Sequence, residues 1–123
     1  PLACRAALAT LEIFEQEDVL KKNLLRSKEM AEAFSWTRSD DRVQHVRQSG
    51  MIFAFDVKPE CFSNQMTASQ FAKTFFSAAL NNEVLVRPIG STIYIMPPYV
   101  ITQEDLIFLS KAIQNTLNQT LSQ

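Results

Sequence analysis

Apolar positions recur at three- and four-residue steps from Leu2 to Phe14. Leu2, Ala6, Ala9 and Ile13 make one line, and Ala3, Ala7, Leu11 and Phe14 make the next. That period predicts a helix, with Pro1 in the first turn, where proline is tolerated. Glu15-Gln16-Glu17-Asp18 interrupts the stripe. A second helix is expected from Asp18, a suitable N-cap. Its inward stripe is Val19 or Leu20, Leu24, Met30 or Ala31, and Phe34, widened by Leu25. Lys21, Lys22, Arg26, Lys28, Glu29 and Glu32 fall on the wet side, some at ion-pair spacing. Ser35 to Arg42 is polar apart from Trp36 and reads as a loop.

The period then changes to two. Val43, His45, Arg47 and Ser49 alternate with Gln44, Val46, Gln48 and Gly50, and an apolar run follows from Met51 to Val57. This predicts a strand near 45–57, or two strands kinked at Gly50. A loop from Pro59 to Met66 leads to Thr67, an N-cap for a helix lined by Phe71, Ala72, Phe75, Phe76, Ala79 and Leu80 and ended by Asn81-Asn82. Val84 to Arg87 reads as a short strand, Pro88 to Ser91 as a turn, and Thr92 to Met96 as the partner strand of a hairpin. Thr102 caps a last helix with Glu104 and Asp105 in its first turn. Leu106, Leu109, Ala112, Ile113, Thr116 and Leu117 line its inner side, and a polar tail frays after Asn118. This order predicts an α+β fold: a small three-stranded, mainly antiparallel sheet, with strands near 45–57, 84–87 and 92–96 and helices packed on it.

Composition narrows the chemistry. The 123 residues make one domain. Twelve Lys and Arg against thirteen Asp and Glu give a net charge of −1, so charge supplies no case for nucleic acid or an anionic membrane as partner. No apolar run approaches the ~20 residues of a membrane span. The chain starts at Pro1 with no basic segment leading into an apolar one. No signal peptide is therefore expected, and the chain is expected to begin inside a longer gene product. Two glycines exclude a glycine-rich phosphate loop. One histidine (His45) and two distant cysteines (Cys4, Cys61) do not supply a metal site or a locally spaced Cys–His pair, so no metal is expected. The cysteines read as two buried free thiols in a reducing cytosol.

One segment is unusual for a plain hairpin. Arg87 stands immediately before Pro88 with apolar runs on either side, and Tyr94 lies across the turn. A planar guanidinium suits a carboxylate bidentately. It equally suits a structural salt bridge or a solvated loop, and Tyr94 equally suits a sheet surface. The residues alone leave both open.

Three blocks then resemble class III pyridoxal-phosphate aminotransferases. Pro1-Leu2-Ala3-Cys4-Arg5-Ala6-Ala7-Leu8 with Leu11-Glu12 resembles the helix that leaves their large domain. Val46-Arg47-Gln48-Ser49-Gly50-Met51 through Asp56 is similar to a strand of their small domain. Val86-Arg87-Pro88-Ile89-Gly90 through Tyr94 and Pro97-Pro98-Tyr99 to Thr102 is similar to their C-terminal hairpin. Arg-Pro-x-Gly followed by tyrosine resembles the branch that aminates 8-amino-7-oxononanoate with S-adenosylmethionine on the way to biotin.

The resemblance implies a C-terminal small domain of a fold-type-I, pyridoxal-phosphate-dependent transferase. Residues 1–15 would form the helix linking to a large domain, 16–118 the α+β body and 119–123 the tail. It implies that Arg87 receives the carboxylate of the keto substrate and that Tyr94 lies beside it. It implies pyridoxal phosphate bound mainly outside this chain, no catalytic or cofactor-binding residue within it, and a cytoplasmic homodimer when full-length. No lysine here matches the family's catalytic one, so the fragment alone is expected to be inactive. The alternatives are another class III transaminase acting on an ω-amino acid, a stand-alone carboxylate-sensing module using Arg87, and a purely structural domain.

Overall fold

Two tight turns organise the sheet, and each is built on one of the chain's two glycines. The structure, a computed structural model, describes residues 1–62 and 66–122. Its helices are α1 (Leu2–Gln16), α2 (Val19–Ala33), α3 (Ala68–Asn81) and α4 (Gln103–Leu121), and its strands are β1 (Val43–Ser49), β2 (Ile52–Val57) and β3 (Thr92–Ile95). Short 3-10 turns occupy Ser35–Arg38 and Pro59–Cys61. The sheet is antiparallel in the order β1-β2-β3. The α+β fold with three strands and packed helices stands as the sequence predicts.

The strands that make it are partly different ones. The 45–57 segment divides at Gly50-Met51 into the β1–β2 hairpin, with Ser49 opposite Ile52. Gly50 has φ +55 while Met51 does not enter the left-handed region, the pattern of a two-residue turn with glycine first. Val84 to Arg87 lies outside the sheet, and β3 pairs with β2 from Phe53↔Ile95 to Asp56↔Thr92. The reason lies in β2. Phe53, Ala54 and Phe55 are consecutive and all buried, so both faces of this strand are covered, and it takes the centre with a partner on each edge. Val84 and Val86 are buried and Leu85 and Arg87 exposed, which mimics a strand's alternation without its ladder.

The core lies between sheet and helices. Phe34, Phe55, Phe71, Phe75, Ile93, Leu106, Ile113 and Leu117 are fully buried, each contributing about 1.5–3 kcal/mol against exposure. Trp36 Nε1 donates to Ser110 Oγ (2.9 Å), and that hydroxyl donates to the Ala33 carbonyl (2.6 Å). This chain of bonds ties α2 to α4, so the segment expected as a loop from Ser35 is a packed turn with Thr37 buried. Thr67 and Thr102 cap α3 and α4 as predicted, each with a reciprocal bond from the third helical residue, Gln70 and Asp105. Asn82 closes α3, donating from Nδ2 to the Ala78 carbonyl at 2.9 Å.

Other expectations are corrected. Leu20, Leu24 and Leu25 of α2 are exposed, because only its C-terminal half, at Met30 and Phe34, reaches the core. Leu80 is exposed at the end of α3. Asp18 holds the cap position in the left-handed region (φ 51) without a side-chain cap bond. Cys4 is exposed, since α1 buries no residue, and Cys61 is half-buried. Helix α4 continues to Leu121 where a tail was expected, with Thr120 buried and its hydroxyl donating to the Thr116 carbonyl (2.8 Å). Residues 63–65 of the expected Pro59 to Met66 loop, and Gln123, lie outside the described residues.

Candidate functional site

The route from α3 to β3 sets the site. After Val86 is drawn into the core, Arg87 emerges exposed, and Pro88 fixes the backbone behind it. Ile89 and Thr92 then exchange both backbone bonds (2.9 and 3.0 Å), closing a turn over Gly90 (φ +60) and Ser91. Strand β3 leaves the turn with Ile93 and Ile95 buried. Tyr94 therefore projects on the opposite face, 37% exposed, in register with Ala54.

The chain reversal brings the two predicted residues together. Arg87 and Tyr94 line one hollow of about 530 Å³, walled by Leu85, Met96, Pro98, Ile101 and Leu109. The segment before the turn, the Pro97-Pro98 exit from β3 with Ile101, and Leu109 of α4 supply that wall, so the Thr102 cap between Ile101 and α4 also orders the site. Arg87 belongs as well to a neighbouring hollow of about 420 Å³ with Ser69, Lys73, Phe76 and Gly90. Its guanidinium carbon sits 5.7 Å from the centroid of the Phe76 ring. Among the described residues, none of the ion pairs or side-chain hydrogen bonds involves Arg87 or the Tyr94 hydroxyl. The structural salt bridge that the sequence left open for Arg87 is not formed among them. Phe76 was read as one more core residue on α3. It adjoins Phe75 and lies off the fully buried face of Phe71, Phe75 and Ala79, a difference that the apolar stripe alone does not show.

A second polar cluster lies on the sheet. Between Gln44 and Arg47 the register shifts, β1 advancing three residues while β2 advances two, and His45 takes φ +50. This bulge lets neighbouring odd positions converge on one carboxylate. Asp56 accepts from Thr92 Oγ1 (2.8 Å) and Arg47 Nη2 (3.1 Å) and lies 3.0 Å from His45 Nδ1. Desolvation works to raise the Asp56 carboxyl, and the hydrogen bonds from Thr92, Arg47 and His45 outweigh it, holding it below the ordinary aspartate value. The cluster is internally satisfied and anchors β3 to β2 and β1. No group of three or more His, Cys, Asp or Glu side chains is placed to hold a metal among the described residues. No helix of theirs is long and apolar enough to cross a membrane.

The parts a pyridoxal-phosphate site needs are a lysine held in an enclosed cavity, an acid facing the pyridine nitrogen, and a cradle of phosphate donors. Lys21, Lys22, Lys28, Lys73 and Lys111 are exposed and Lys58 is half-buried, and the two most enclosed aspartates are already engaged, Asp40 by Arg42 and Asp56 by Thr92, Arg47 and His45. The described residues do not fit that group.

A leading helix, a small antiparallel sheet and covering helices make an α+β fold shared with solved transaminases. The class III aminotransferase family matches residues 1–117, and the chain belongs to that family, whose members are pyridoxal-phosphate-dependent aminotransferases. It is 37% identical over 109 residues to the adenosylmethionine-8-amino-7-oxononanoate aminotransferase of Helicobacter pylori, a match covering 85% of this chain and 24% of that protein. The enzyme of the same name from Geobacter sulfurreducens is 29% identical over 96% of this chain and 26% of its own length. The solved structure of the Methanocaldococcus jannaschii enzyme of that name superposes with a TM-score of 0.81 at 26% identity, covering 95% of this chain and 27% of that one. The chain thus spans about a quarter of the length of these relatives.

Proposed function

We propose that this chain is the small domain of an aminotransferase that moves an amino group from S-adenosylmethionine to 8-amino-7-oxononanoate, giving 7,8-diaminononanoate in biotin synthesis. Arg87 binds the carboxylate of the keto substrate, and Tyr94 lies beside the bound chain with its phenol free to donate. The observation that carries the reading is Arg87 itself. It is a cation without an acid partner among the described residues, held at a rigid turn, and it opens on the same apolar hollow as Tyr94. A long ω-chain acid needs that combination, an apolar wall ending in a fixed fork. The relatives' names support the substrate pair.

The cofactor and its lysine belong to a large domain of the full-length enzyme, a cytoplasmic homodimer, and the helix 1–15 links that domain to this one. Pyridoxal phosphate supplies the electron sink there. This chain's residues bind, orient and shield the substrate. An ω-aminotransferase of Caulobacter vibrioides, 25% identical over 97% of this chain, keeps a second reading open, in which the substrate is another ω-amino acid. The carboxylate contact would be shared, so the two are separated by substrate choice.

The test follows each half-reaction of the full-length enzyme by single-turnover absorbance. Arg87→Ala should lower the keto-acid half-reaction by about 30- to 1000-fold, the equivalent of roughly 2–4 kcal/mol, and change the donor half-reaction little. Arg87→Lys should recover only part, because an ammonium cannot reproduce the fork. Equal losses in both half-reactions, or none in either, would overturn the assignment.

A further inference from the structure

Arginines that hold ligand carboxylates must themselves be held, or the entropy of a long side chain is lost on every binding event. A carboxylate is the common holder. It also occupies the donors and offsets the charge that the ligand needs. Arg87 has no such holder among the described residues. Its one directional contact among them is the face of Phe76, with the guanidinium carbon 5.7 Å from the ring centroid. That lies inside the ~6 Å range of cation–π attraction.

The ring is well placed for this. Phe76 is half-buried on α3, one position past the fully buried Phe75, so the core fixes the backbone beneath it. The Thr67–Gln70 capping box fixes the start of the same helix. Arg87 takes part in both hollows, Phe76 only in the smaller and Tyr94 only in the larger. The ring therefore meets the guanidinium from outside the hollow that contains Tyr94.

We infer that Phe76 is a positioning residue for substrate carboxylate recognition, holding the Arg87 guanidinium by its face so that its N–H edge stays undivided for the ligand. The inference rests on the carboxylate reading of Arg87 and adds the group that makes it work. An aromatic face attracts the cation without accepting its hydrogen bonds, so all five donors and the full charge remain available. A ring of similar bulk and polarity, such as tyrosine, keeps that function, whereas leucine keeps the packing and loses the quadrupole.

The full-length enzyme tests this with Phe76→Leu, Phe76→Tyr and Arg87→Ala, measured in the same single-turnover assay and by thermal unfolding. Phe76→Leu should raise the keto-acid concentration at half-saturation by about 3- to 10-fold, the scale of a partly exposed cation–π contact. The limiting rate and the donor half-reaction should stay within about two-fold, as for a contact that serves ground state and transition state equally. Phe76→Tyr should restore the original half-saturation. In the double variant Phe76→Leu/Arg87→Ala, the leucine should add no further loss, since its effect runs through the arginine. Unchanged half-saturation in Phe76→Leu, failure of tyrosine to rescue, or additive losses in the double variant would overturn the inference while leaving a selective Arg87→Ala effect intact. A non-selective Arg87→Ala would instead overturn the carboxylate reading and this inference with it.

Discussion

Asp56 shows how much one residue can organise. From β2 it draws bonds from both flanking strands: Thr92 on β3, and Arg47 and His45 on β1. Its carboxyl is held below the ordinary value despite the desolvation that opposes it. A depressed folded-state pKa contributes stability that is present above the unfolded value of about 3.9 and is lost as pH falls through the folded one. Asp56→Asn should therefore cost on the order of 1 kcal/mol near neutral pH. It should also flatten the loss of stability that the parent protein shows below about pH 4. Chemical denaturation from pH 7 to pH 2.5 measures both, and parallel acid limbs for the two proteins would sink the argument. This cluster was not legible in the sequence. A strict alternation puts His45 and Arg47 on one face, but nothing in that pattern announces the bulge at His45 that aims both at Asp56.

At the scale of elements, local signals that act through their own backbone were readable. Thr67 and Thr102 stand where a threonine side chain satisfies free helix donors, and both form capping boxes. Gly50 and Gly90 stand where a turn needs φ above zero. Signals that depend on competition between elements were not. Val84 to Arg87 has a strand's alternation, yet β3 goes to β2, whose two apolar faces make it the centre of the sheet. The leucines of α2 have a helix's stripe, yet the core ends at Met30. Arg87 and Tyr94 were legible as a pair because the turn between them is local. Phe76 was not, because its partner comes from a different element. The cap on α3 can be weighed directly. Thr67→Ala removes the oxygen that accepts from Gln70 N (3.3 Å) and should cost about 1 kcal/mol. The readout is a lower denaturant midpoint with unchanged slope. An unchanged midpoint would mean that the cap contributes nothing.

For the whole molecule, what the chain buries and what it exposes divide the work of the proposed enzyme. Its sheet and the inner faces of α2, α3 and α4 are closed around a phenylalanine-rich core, while α1 buries nothing and meets the rest through contacts such as Phe14 against Tyr99, centroids 6.1 Å apart. The lysines follow the outer surface. Five are exposed and the sixth, Lys58, is half-buried after β2. A lysine that carries a cofactor must lose water and sit against fixed partners, since burial and neighbours are what bring an amine's pKa down to a reactive range. No lysine among the described residues has that enclosure. Treating the 123-residue chain with pyridoxal phosphate and reducing with borohydride should therefore spread substoichiometric label over several lysines. Peptide mapping reads the distribution, and label concentrated at one equivalent on a single lysine would place a cofactor site inside this domain and overturn the division of labour proposed for it. The same treatment of the full-length enzyme should put its single equivalent on a peptide outside these residues, because only there can the proposal supply the enclosed amine that the chemistry requires.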